Sequence, residues 1–182
     1  MAIIKMPTRE QLDAADQSYC TKGGRIGVWW AKLHEDLAQL YFFLLSPKDQ
    51  QAKTAWYSHR SDAAQRQLLR AALLSEPPRS FKENPCAEAD FDWMLKAIEE
   101  LAVIRNTATH AVVSIIWGTD GPSFELDPFS DNPKLEKFRG INLLPTLTNC
   151  ESRLETLVGF NRLMASCITG SHTAFDWPDR PR

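Results

Sequence analysis

The 182-residue chain is short of the features that would place it at once. It has four cysteines, Cys20, Cys86, Cys150 and Cys167, and no C-x-x-C pair among them. Its four histidines complete no zinc spacing either. A disulfide framework and a zinc module are therefore set aside, and reduced thiols in a cytoplasmic protein are expected. Long apolar runs are missing: "LYFFLL" (40–45) and "AVVSIIW" (111–117) fall well short of a membrane span. The opening "MAIIKMPTRE" has no adequate hydrophobic region for a signal peptide. A surplus of positive charge is missing too. With 21 basic and 23 acidic residues the net charge is −2, which argues against coating nucleic acid through bulk charge. A small local site for RNA or a nucleotide stays open. No internal repeat or low-complexity tract is visible.

What is present is helical periodicity with clear punctuation. Residues 6–24 read as a polar lead-in, with a short helix stopped by Gly23-Gly24. "RIGVWWAKLHEDLAQLYFFLLS" reads as a first long helix. Ile26, Trp30, Leu33, Leu37, Leu40 and Leu44 recur on it at spacings of three and four, and Ser46-Pro47 ends it. "KDQQAKTAWYSHRSDAAQRQLLRAALLSE" reads as one second helix, rich in strong helix formers. "PPRSFKENP" reads as a loop. A third helix begins near Cys86 to Asp90 and carries Trp93, Met94, Ile98, Leu101 and Ile104 as a sustained seam.

After His110 the period changes. "VVSIIW", "GTDG" and "PSFELD" predict a β-hairpin over 112–127. An irregular connection follows, and "TLTNCESRLETLVGFNRLMASCITG" returns to helix with Leu147, Cys150, Leu154, Leu157, Val158 and Leu163 as its face. The expected fold is all-α, an up-and-down helical bundle with a small β-hairpin insertion after the third long helix. One domain is expected over 1–182: a core at 24–170, the polar lead-in at 1–23 and a frayed tail at 171–182.

"ELAVIRNTATHAVVSI" (100–115) interrupts an apolar helix with Arg105, Asn106 and His110. At about 100° per residue, Leu101, Ile104 and Ala108 share the packed face. Asn106 and His110, four apart, fall on the far side with Asp92, Lys96 and Glu99. Arg105 lies at the border, with a stem long enough to bring its guanidinium toward the imidazole. Taken singly, a surface histidine, a border arginine and an asparagine near a helix end carry no function. Read as Arg105-Asn106-Thr107-Ala108-Thr109-His110, late in a helix of an all-α chain, they resemble the R-x4-H signature of the HEPN superfamily. The apolar lead "LAVI", the small Ala111 and the helix "GRIGVWWAKLHEDLAQLYFFLL" add to that resemblance, which covers about Gly24 to Gly170.

The resemblance implies a homodimer whose motif helices meet across the two-fold axis. For many members it implies a metal-independent endoribonuclease that leaves 2′,3′-cyclic phosphate ends, in toxin–antitoxin, stress or anti-phage settings of bacteria. For others it implies a non-catalytic dimer binding a nucleotide or a protein partner, and that alternative stays open beside a chance motif on an unrelated bundle. The implied roles are transition-state stabilisation for Arg105, orientation for Asn106 and acid/base chemistry for His110. No cofactor and no metal are expected. RNA or a nucleotide and a cognate antitoxin or other protein are the expected partners, with no membrane. Glu35 and Asp36, in "HEDL", are candidate partners for Arg105. Arg66, four residues before Arg70, is a candidate phosphate contact, although an exposed basic face accounts better for that pair. "HEDL" lacks the second histidine of a zinc-protease motif, and "GGRIG" follows no strand and is no dinucleotide fingerprint.

Overall fold

A computed structural model describes residues 6–45, 50–127, 133–170 and 177–181. Among these the chain is mostly helical, with one two-stranded antiparallel sheet. The helices are α1 (Arg9–Leu45), α2 (Gln50–Ser58), α3 (Asp62–Ser75), α4 (Arg79–Glu83), α5 (Ala87–His110) and α6 (Leu143–Thr169). Strands β1 (Val113–Gly118) and β2 (Gly121–Leu126) lie between α5 and α6, followed by a 3-10 turn at Pro133–Phe138. The mostly helical class and the hairpin after the third long helix are as expected. None of the helices is long and apolar enough to cross a membrane.

Several element boundaries differ from the sequence reading. Gly23-Gly24 does not stop a helix: α1 runs through it without interruption. Each glycine costs about 1 kcal/mol against alanine in a helix interior, and tertiary contacts on both sides offset that cost. Before the pair, Ala15 is buried, Tyr19 stacks on Phe124 with ring centroids 5.4 Å apart, and Lys22 donates to Glu151 at 2.6 Å; after it, Arg25 donates to Glu151 at 3.4 Å and Ile26 is fully buried. Conversely, the long second helix is two. Ser61 has extended backbone and its hydroxyl accepts from the Ala64 amide at 3.3 Å, so it caps α3 and separates it from α2. Part of "PPRSFKENP" is also helical, as α4.

The chain forms two compact units, Met1–Val28 with Glu100–Arg153 and Trp29–Glu99 with Leu154–Arg182. In the first, the pleat of the hairpin sets the core. Val113 pairs with Leu126, Ile115 with Phe124 and Trp117 with Pro122, so these residues share one face. Phe124 and Leu126 are buried with Ala15, Leu135, Phe138 and Leu143, and Tyr19, Val103, Ile104 and Ala111 pack on them. The opposite face carries Ser114, the exposed Ile116, Ser123 and Glu125. Thr119-Asp120 form the turn, and Gly121 closes it at φ 110°, a region that L side chains rarely adopt. Asn142 accepts at one side-chain oxygen from the Leu144 amide, capping α6, and from the Phe124 amide, tying the helix start to β2. Lys22 and Arg25 both reach Glu151, and these cations hold its carboxyl below the usual range.

In the second unit the buried side chains include Trp30, Leu33, Leu37 and Leu40 of α1, Trp56 of α2, Leu69 and Leu73 of α3, Phe91, Met94 and Ile98 of α5, and Leu154, Leu157, Phe160 and Met164 of α6. Tyr41, Phe42 and Trp56 form an aromatic cluster with centroid separations of 5.3 to 6.3 Å. The described end of the chain is not frayed. Trp177 donates its indole N–H to the buried Asp90 carboxylate at 2.8 Å, Arg180 pairs with the same group, and Trp177 meets Phe81 edge-on. The rest of the expected tail, 171–176 and 182, lies outside the described residues, as do Ser46-Pro47 and 128–132.

Candidate functional site

The last three turns of α5 are amphipathic over a short distance. Leu101 and Thr107 are buried, and Val103 and Ile104 pack on the hairpin core. The Thr107 hydroxyl donates back to the Val103 carbonyl at 2.9 Å, which satisfies the one buried polar side chain on that face. The helix then presents Asn106, Thr109 and His110 to solvent, with Arg105 half-buried at the border, as the periodicity predicts. The helix ends at His110, the basic residue of its last turn, where the β-branched run of β1 takes over.

Arg105 and Asn106 are brought together: the guanidinium donates to the Asn106 amide oxygen at 2.7 Å. That bond holds the planar cation alongside a carboxamide. It also commits the Asn106 oxygen to the arginine. Thr109 donates its hydroxyl to the Arg105 carbonyl at 3.0 Å. His110 lies one turn beyond Asn106 on the same exposed face. The arrangement offers a forked cation, an amide and an imidazole along one exposed face of α5. Those are the groups needed to hold a phosphodiester and to move protons at its oxygens.

The supporting residues belong to the other unit and have partners of their own. Glu35 accepts from Gln39 at 2.7 Å. Asp36 accepts two bonds from Arg162, at 2.6 and 3.4 Å. The basic face expected at Arg66 and Arg70 is not present. Arg66 is 5% exposed, with a guanidinium nitrogen 3.5 Å from His34 Nε2. Burial pulls its pKa down, and the nearby carboxylates of Asp62 and Glu99 oppose that shift. Arg70 forks onto Asp92 at 2.8 and 3.0 Å and holds that carboxyl below its ordinary value. A buried arginine cannot serve as a surface phosphate contact, so Arg66 is a structural group here. Among the described residues, no group of three or more His, Cys, Asp or Glu side chains is placed to hold a metal ion.

One feature of the second unit escaped the sequence reading. A cleft of about 790 Å³ lies between the C-terminal half of α1, α2 and the C-terminal half of α6. Leu40, Phe42 and Asn161 are its buried residues, while Phe43, Lys53, Tyr57 and Arg162 are exposed along it. Asn161 is 0% exposed, and among the described residues neither its amide oxygen nor its amide nitrogen has a hydrogen-bond partner. A buried polar group left unpaired costs about 1–3 kcal/mol, so such a group calls for a reason. The signal was in the spacing: Leu154, Leu157, Asn161, Met164 and Ile168 follow one another at three and four, which puts an amide on the apolar seam of α6. Comparison of the chain with family models, with curated proteins and with solved structures returned no match.

Proposed function

We propose that this protein is a homodimeric, metal-independent endoribonuclease of the HEPN type, acting in the cytoplasm of a bacterium in a toxin–antitoxin, stress or anti-phage role. The observation that supports it is the exposed cluster at the end of α5, with the Arg105 guanidinium bonded to Asn106 and His110 one turn on. In the proposed reaction, His110 of one protomer takes the proton of the RNA 2′-OH. The 2′-oxygen attacks phosphorus in line, the P–O5′ bond breaks, and His110 of the partner subunit protonates the leaving 5′-oxygen. The products are a 2′,3′-cyclic phosphate and a 5′-hydroxyl, with no net change in protons. Arg105 meets the charge that builds on the phosphoryl oxygens, and Asn106 fixes the guanidinium through its amide. The low net charge places the burden of RNA binding on a dimer cleft rather than on the general surface.

Purified protein incubated with RNA and EDTA is expected to give fragments with cyclic phosphate ends, read by mass spectrometry. His110→Ala is expected to lower cleavage by about 100-fold or more without lowering the melting temperature, as loss of a general acid/base does. Arg105→Ala is expected to relieve any growth defect on expression. Undiminished cutting by His110→Ala overturns the assignment. A wild type that cuts nothing yet binds a nucleotide through Arg105 replaces it with the non-catalytic dimer.

A further inference from the structure

We propose that the cleft beside Asn161 binds a planar amino-azine ring, adenine being the simplest biological example, that carries an anionic substituent. This inference is independent of the ribonuclease reading and uses none of its residues. Three observations carry it. The volume of about 790 Å³ falls within the roughly 300–1,000 Å³ range of small-molecule sites. Asn161 supplies a donor and an acceptor side by side, both without a partner among the described residues. A carboxamide of that kind pairs bidentately with an amino group next to a ring nitrogen, as asparagine does with the N6/N7 edge of adenine. Phe43 and Tyr57 are exposed aromatics along the cleft, 41% and 62% accessible, and offer planes on which such a ring stacks.

The charges select the substituent. Arg162 is neutralised by Asp36. Lys53 has no ion pair among the described residues, so it is the cation left to meet an anionic group. The Asn161 amide is closed off from water in this conformation, so the ring edge reaches it once a neighbouring side chain turns aside. Phe43, Tyr57 and Lys53 are the exposed side chains along the cleft nearest to such a movement, and Tyr57 also meets the Phe42 ring at 6.0 Å. Binding then supplies both hydrogen bonds that the fold leaves unmade.

Calorimetric titration of the full chain with adenosine 5′-monophosphate, adenosine and purine riboside tests this. The monophosphate is expected to bind, and purine riboside, which lacks the amino donor, is expected to bind about tenfold more weakly than adenosine or worse. Lys53→Gln is expected to remove the advantage of the monophosphate over adenosine. Asn161→Leu is expected to weaken both adenine ligands about tenfold or more. Should Asn161→Leu fail to fold, Tyr57→Ala at its exposed position is expected to weaken adenosine while leaving the melting temperature unchanged. Absence of binding by all three compounds overturns the proposal. So does binding by Asn161→Leu, or by both Lys53→Gln and Tyr57→Ala, at wild-type strength.

Discussion

Side chains of the same type meet opposite fates in this protein, and the difference is solvent access. Cys20 and Cys86 are exposed, whereas Cys150 is fully buried on α6 and burial pushes its thiol up to about 11. Burial raises the half-buried Cys167 as well. Because the thiolate is the reactive form, Cys20 and Cys86 are expected to label quickly with a thiol reagent at mildly alkaline pH, with Cys167 slower and Cys150 reacting only after unfolding. Labelling of Cys150 in the folded protein at the rate of Cys20, followed by peptide mass spectrometry, would contradict the packing described for α6. Arginines divide in the same way. Arg105 is half-exposed and Arg66 is buried, yet both read as polar positions on a helix. Helical phase placed Asn106 and His110 outward correctly, because the apolar seam around Leu101 is unambiguous. It could not place Arg66, because a long polar side chain does not announce that its neighbours will enclose it.

Among the elements, those with strong local chemistry were legible. The β-branched run of 112–116 and the turn "GTDG" marked the hairpin, whereas α6 starts at Leu143, behind an Asn142 cap, three residues before the expected Thr146. Boundaries that depend on tertiary contacts were not. Gly23-Gly24 reads as a stop, yet α1 passes through it because Tyr19 on β2 and Lys22 on Glu151 of α6 hold the turns before it and Arg25 on Glu151 holds the turn after it. Gly24 is exposed inside a helix, and a methyl group there would meet nothing within 4 Å. Gly24→Ala is therefore expected to stabilise the protein by about 0.5–1 kcal/mol, measured as a shift in denaturant midpoint at unchanged slope. Destabilisation by that substitution would mean that α1 needs a break at this point after all. The split between α2 and α3 was hidden for the opposite reason. The residues on either side are good helix formers, and the break falls at Ser58-His59-Arg60-Ser61, where Ser61 caps α3 and the Gln65 side-chain amide donates to the Trp56 carbonyl at the end of α2.

On the scale of the whole molecule, the charge balance and the site make different demands. A chain of net charge −2 gains little from general attraction to RNA, so a nuclease built on it must concentrate its cations and imidazoles by assembly. One protomer carries one His110, while cleavage without a metal calls for a base and an acid at once. In the proposed dimer, the partner subunit would supply the second imidazole across the exposed end of α5. The inter-protomer separation of nitroxide labels placed by His110→Cys, in a background with the native cysteines replaced, tests this most directly. A single short separation is predicted, with the two labels facing a common cavity. Monomeric protein, or labels held far apart on opposite sides of an assembly, would contradict it.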